Sequence, residues 1–209
     1  MRSADQATIL RTAMIVLVLF LVIARANPFL SIIIFAMALL LDSIDGYLAI
    51  REASGGRVSV ADYLASAAGN AKTGLSVAKA KAMANKRAGY GPRLDVAADR
   101  ITELAFWMLF TYLHLLPFFL LLIILARHSI VDAFMGAKGT SSKMRSRAAR
   151  ALYSSNWSRA LANILKFVTF SYLILEYVSG YPAIIGTALA GILAVFIIIR
   201  GATEVYESA

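Results

Sequence analysis

The chain alternates between long apolar runs and short polar or basic breaks. A bilayer core needs about 20 mostly apolar residues per helix. Six segments reach or approach that length: 9–24, 29–50, 96–113, 115–131, 160–178 and 182–200. Each is read as a membrane helix, the fourth short and the fifth carrying polar residues. Pro28, Pro92, Pro117 and Pro182 stand near the starts of proposed helices, where a missing N–H costs least. "ARANP" at 24–28 reads as a tight turn into the second helix. No small-residue cleavage site follows the first apolar run, so that run is read as a helix and not as a leader. Residues 52–90 break the pattern: they are rich in Ala, Lys, Ser and Gly and poor in Leu, Ile and Phe. They are too polar to span a bilayer and are expected to be partly helical, at the surface or on the cytoplasmic side. No internal repeat is visible. The expectation is an all-α integral membrane protein, one six-helix domain over 1–209 with an insertion at 52–90.

Composition strengthens this reading. The chain is 60% hydrophobic with a mean hydropathy of +0.72, above what a soluble domain of this size shows. Net charge is +9, from 21 Lys+Arg against 12 Asp+Glu. The basic residues cluster in 51–100 and 127–159, while the breaks "LHLLP" and "EYVSGYP" hold none. Alternate loops are therefore basic, which assigns them to the cytoplasm, and an even helix count puts both termini there too. The positive charge is read as topology plus attraction to anionic headgroups, not as a nucleic-acid surface. The expected location is the cell membrane, multi-pass, with a polar active site on the cytoplasmic side. Cysteine is absent, which excludes disulfides and thiolate metal sites.

Against this background the acids stand out, because an ionised side chain in a membrane helix costs roughly 2.5–3.5 kcal/mol on insertion scales. In "LLDSIDGYLAIRE" (40–52), Asp42, Asp45, Gly46 and Ala49 fall on one helical face at about 100° per residue. The small residues permit close approach of a helix or a flat ligand. In "GPRLDVAADR" (91–100), Gly91, Asp95 and Asp99 recur every four residues, again on one face. Four carboxylates near low dielectric need compensation. Arginines or lysines can provide it; so can two divalent ions. With no Cys, and with His114 and His128 outside these motifs, the donor set favours a hard ion, Mg2+ or Mn2+. The plainer alternative is helix-end acids facing water and paired with nearby arginines. No Ser–His or Cys–His pair offers a protein nucleophile.

Asp42-x-x-Asp45-Gly46-x-x-Ala49, then an Arg, then Gly91-x-x-x-Asp95-x-x-x-Asp99, resembles the signature of the CDP-alcohol phosphotransferase family. "QATILRT" (6–12) is similar to that family's N-terminal nucleotide-lipid segment. "LARHSIVD" and "NILKF" resemble its helix-four and helix-five segments in the glycerol-phosphate-using branch. The resemblance implies six helices, a homodimer, a CDP-linked lipid donor and a small alcohol acceptor, with CMP released. It implies two metal ions held by Asp42, Asp45, Asp95 and Asp99, with Asp99 also the general base for the acceptor hydroxyl. Asp42, Gly46, Ala49, Arg51 and Gly91 then belong to the CDP-lipid site. The chain departs from the family twice. Ile50 separates Ala49 from Arg51, which on an ideal helix puts Arg51 about 180° from Asp42, so it reaches the site only if the helix bulges or ends there. The 52–90 insertion also replaces a much shorter spacer, at the mouth of the site.

Three cations lie beyond the motif. Arg127 is placed at the end of helix four, and Arg159 and Lys166 are seven apart on helix five, close to one face. Cations at such depth suit a phosphate on the acceptor; snorkelling to headgroups is the alternative for each. Asp132 is a candidate partner for one of them, and Glu176 is read as structural. A phosphorylated acceptor points to glycerol 3-phosphate, giving phosphatidylglycerophosphate, or to inositol phosphate. The competing class is a metal or proton transporter, which would hold its acids near mid-membrane, whereas these lie at one edge beside basic loops. A non-catalytic membrane adaptor is a third reading, favoured only by the displaced Arg51 and the insertion.

Overall fold

The computed structural model describes residues 3–67, 77, 79–80, 82–83, 91–138 and 156–208. Among them all regular structure is helical: α1 (Ser3–Ile23), α2 (Pro28–Ala53), α3 (Val60–Ala67), α4 (Gly91–Tyr112), α5 (Phe118–Lys138), α6 (Asn156–Ser179) and α7 (Ala183–Ser208). Each of the six apolar segments falls largely on one of these helices. Among the described residues three stretches are long and apolar enough to cross a membrane, Asp5–Ile23, Ala160–Ser179 and Ala183–Thr203, and Pro28–Leu41 is a shorter apolar helix. Large apolar side chains such as Phe20, Ile33, Phe118 and Ile184 are exposed on the helix surfaces, as lipid contact requires.

The helix ends follow from local chemistry. At the end of α1, Arg25 adopts φ 49°. Its N–H bonds to Val22 O and that of Ala26 to Leu21 O, both at 2.9 Å, the paired closure of a Schellman turn. Asn27 then caps α2, its Oδ1 accepting from Phe29 N at 2.9 Å, with Pro28 at the first helical position, where its lost donor is harmless. The "ARANP" turn is thus a stop and a start within five residues. The end of α4 repeats the closure, with His114 at φ 59° and Leu115 N bonded to Phe110 O at 3.0 Å. That turn and Pro117 move the start of α5 to Phe118. Nor does α5 end at residue 131 as expected: it continues to Lys138.

Described residues of the insertion are helical in part, as expected. α2 runs past the motif to Ala53 and closes with Gly55 at φ 64°, Gly56 N bonding to Arg51 O at 2.9 Å. The chain then turns back. Val58 joins Ile50, Val77 and Ala80 in a small buried cluster with Tyr63 packed against it. Ser59 and Asp62 form a reciprocal capping box that starts α3: Ser59 Oγ accepts from Asp62 N at 3.1 Å, and Asp62 Oδ2 accepts from Ser59 N at 3.2 Å.

The chain divides into two compact units. The first comprises Met1–Val18 and Ile33–Thr102, the second Leu19–Ile32 and Glu103–Ala209. In the first, Ile15, Val18, Phe35, Ala38 and Ala98 are buried. In the second, Phe170 of α6 stacks on Phe106 of α4, with ring centroids 4.8 Å apart, and meets the edge of Trp107 at 5.9 Å. α7 packs against both α5 and α6 through small residues. A Cβ at Gly186 would overlap the Glu176 carboxylate, and one at Gly201 would lie 2.9 Å from Arg127 Cγ.

Candidate functional site

In the first unit, two of the four motif acids can be followed to their side-chain atoms. Asp95 and Asp99 stand one turn apart on α4, and both face Arg11 of α1. Arg11 Nη2 lies 3.3 Å from Asp95 Oδ1, and Nη1 lies 2.9 Å from Asp99 Oδ1. The guanidinium is a planar fork whose separate N–H groups can reach two acceptors at once. Its side chain is 4% exposed, while the two aspartates remain 45% and 53% exposed. The arginine is therefore enclosed and the carboxylates keep an open side. For these two acids the compensating charge is thus an arginine, as the plainer alternative expected, and their exposed oxygens are of the type a hard divalent ion takes.

Arg11 was not among the residues that sequence reasoning selected. It sits inside "QATILRT", and it is the lone charge in the apolar run from Ala7 to Ala24. An ionisable group in a membrane helix is a functional candidate by default, and that signal was sufficient to find it.

Asp42, Asp45, Gly46 and Ala49 lie on the continuous backbone of α2, in the same compact unit. Their side chains are outside the described residues, as is Gly91's immediate environment at the start of α4. Among the described residues no group of three metal-ligating side chains occurs. Arg51 is described: it is exposed in the last turn of α2, which neither bulges nor ends before it.

The second unit holds a different constellation. Glu103 follows Asp99 by four residues on α4 and is 4% exposed. Lys166 of α6 pairs with Glu103 Oε2, and His128 Nε2 of α5 lies 3.3 Å from Glu103 Oε1. Among the described residues these two atoms make no aligned hydrogen bond to each other, so this contact is an oblique charge contact. Arg127 Nη1 donates to His128 Nδ1 at 3.1 Å. Because Arg can only donate, Nδ1 is an acceptor and the ring proton sits on Nε2, facing Glu103. Snorkelling is thereby excluded for Lys166, whose ammonium is turned inward onto a buried carboxylate. The Arg159 side chain lies outside the described residues. Glu103 is a second residue missed from sequence, although it extends the four-residue spacing of Gly91, Asp95 and Asp99 by one more step.

The family model for CDP-alcohol phosphatidyltransferase matches residues 1–55. The match takes in Arg11 and the Asp42–Arg51 stretch and ends within the first residues of the insertion. Asp95 and Asp99 lie beyond it. Members of that family transfer a phosphatidyl group from a CDP-linked lipid to an alcohol in phospholipid biosynthesis. No curated protein and no solved structure matches the chain.

Proposed function

We propose that this chain is a membrane-embedded CDP-alcohol phosphotransferase. It moves a phosphatidyl or archaetidyl group from a CDP-linked lipid to a small phosphorylated alcohol and releases CMP, and glycerol 3-phosphate is the preferred acceptor. The observation that carries the reading is the Arg11 fork across Asp95 and Asp99. It brings two motif acids onto one cation, in the compact unit that also contains most of the matched segment.

In this reading Asp42, Asp45, Asp95 and Asp99 would hold two Mg2+ or Mn2+ ions, which would supply positive charge to the donor diphosphate and to the charge developing in an in-line displacement. Asp99 accepts the proton of the acceptor hydroxyl; that oxygen bonds to the phosphorus bearing the lipid, and the bond from phosphorus to CMP oxygen breaks. Gly46, Ala49 and Gly91 leave room for the nucleotide; Arg51, in the unbroken last turn of α2 about 180° from Asp42, is left out of the donor site. Arg11 holds Asp95 and Asp99 at the spacing of its fork. Lys166, with Arg127 and Arg159, holds the acceptor phosphate. The chain crosses the membrane six times with both termini and the site on the cytoplasmic side, and it works as a homodimer.

The test is CMP release by the full chain in detergent, from CDP-diacylglycerol and glycerol 3-phosphate, with inositol phosphate, glycerol and serine as competing acceptors. Release is expected with Mg2+ or Mn2+ and is lost in excess chelator. Undiminished turnover in chelator sinks the two-metal reading. Absence of CMP release with every donor and acceptor sinks the enzyme reading in favour of a carrier or an adaptor.

A further inference from the structure

The Glu103–His128–Lys166 network belongs to no motif, yet it places ionisable groups where a helical membrane protein least tolerates them. A buried ion pair is a poor source of stability, since desolvation offsets much of its attraction. A network of this kind therefore invites a role beyond holding helices together. Its exposure is graded. Glu103 and His128 are enclosed at 4% each, while the Lys166 side chain is 23% exposed. An ammonium has three donors, and Glu103 Oε2 takes only one direction of approach. The open side of Lys166 thus retains donors, and the enclosed side is fastened to a carboxylate that cannot move into solvent.

The carboxylate is itself held. Arg127 fixes the tautomer of His128, whose Nε2–H then faces Glu103 Oε1. Arg127 in turn lies against Gly201 of α7, where a Cβ would come within 2.5 Å of its Nε. The order is therefore α7 backbone, Arg127, His128, Glu103, Lys166: one chain of contacts through four helices, with the buried His128 and Glu103 between two partly exposed cations.

We infer that Glu103 is a positioning residue for acceptor recognition: it anchors the Lys166 ammonium so that its remaining donors present to the anionic group of the acceptor, and His128 holds Glu103 for that purpose. This rests on the reading that Lys166 contacts an acceptor phosphate. A lysine on a flexible stem loses side-chain entropy on binding an anion; one already pinned on its inner side has lost it beforehand. Glu103 thus acts on acceptor affinity through Lys166 and touches no substrate.

The test is steady-state kinetics on the full chain, with glycerol 3-phosphate and CDP-diacylglycerol varied separately, for Glu103→Gln, Glu103→Asp and Lys166→Met. Glu103→Gln keeps the shape of the side chain and removes its charge. It is expected to raise the acceptor KM by about tenfold, the scale of one charge-assisted contact, with the CDP-lipid KM unmoved. Glu103→Asp, which keeps the charge on a shorter stem, recovers part of that loss. A merely structural staple would move both KM values or kcat alone, and either result overturns the inference. If Lys166→Met raises the acceptor KM while Glu103→Gln leaves or lowers it, Glu103 is only a competing counter-ion: the inference fails and the acceptor reading stands. If Lys166→Met leaves the acceptor KM unchanged, the acceptor reading itself fails. If both Glu103 variants are lost from the detergent extract while Lys166→Met survives, the network is a folding element and the inference is overturned.

Discussion

The two units solve the same electrostatic problem in opposite ways. In the first, the cation is buried and the acids are open: Arg11 is enclosed, and Asp95 and Asp99 are about half exposed around it. In the second, the acid is buried and the cation is the open member: Glu103 is enclosed and Lys166 is partly exposed. An open carboxylate pair with a fixed guanidinium behind it can take up a further cation. An open ammonium with a fixed carboxylate behind it can take up a further anion. The polarity of each site is thus set by which partner is enclosed, because the enclosed group cannot leave and the open one can acquire a second partner.

The strongest way to break this comparison is at Asp99. Asp99→Asn is expected to lower turnover by more than about a hundredfold, the usual range for a lost general base, while CDP-lipid binding is largely spared. Asp42→Asn is expected to harm both. Single-turnover CMP release and equilibrium binding of CDP-diacylglycerol measure the two effects, and a near-normal rate in Asp99→Asn removes the base assignment.

The next effect is on stability and separates the two sites directly. Glu103→Ala leaves Lys166 without its buried partner and should cost about 3–5 kcal/mol, the range for breaking a buried pair. Asp95→Asn, at a half-exposed position, should cost no more than about 1 kcal/mol. Denaturation of both variants in the same detergent gives the difference. Equal costs would mean that the enclosure of Glu103 and the openness of Asp95 do not govern their energetics.

The smallest effect sharpens the comparison at the edge of the first unit. Ser59→Ala removes the cap of α3 and should speed amide exchange there by roughly fivefold, as loss of one N-cap does, without altering α2. The hydrogen bonds from Ser59 hold the Asp62 carboxyl below its usual range. A carboxyl lowered in the folded state contributes stability above its unfolded pKa and loses it as pH falls through the folded one. The cap of α3 should therefore weaken only on acidification below the ordinary carboxylate range. Exchange in α3 that is insensitive to acid would show that Asp62 has no part in the cap.

What could be read from residues alone was whatever depends on period and composition. The apolar runs marked the positions of the long helices, Pro28 within "ARANP" marked the start of α2, and the four-residue spacing of Asp95 and Asp99 marked a face of α4. Each rests on interactions within a few residues, so local sequence carries it. Helix ends set by a positive φ at a non-glycine residue, Arg25 and His114, were not legible, because nothing in those side chains announces that conformation. The extension of α5 from residue 131 to Lys138 was also not expected, since the end of an apolar run does not stop a helix.

The partners of the charges were decided only by tertiary structure. Sequence alone showed that the acids needed compensation and left open whether arginine, lysine or metal supplied it. Arg11 lies 84 residues from Asp95, and Lys166 lies on a different helix from Glu103; no local pattern links either pair. Which cation meets which acid depends on how helices rotate and slide as their apolar faces pack, with small residues such as Gly186 and Gly201 setting how near two backbones come. Burial then decides which member of each pair is held and which stays open, and that choice, invisible along the chain, is what gives each site its sign.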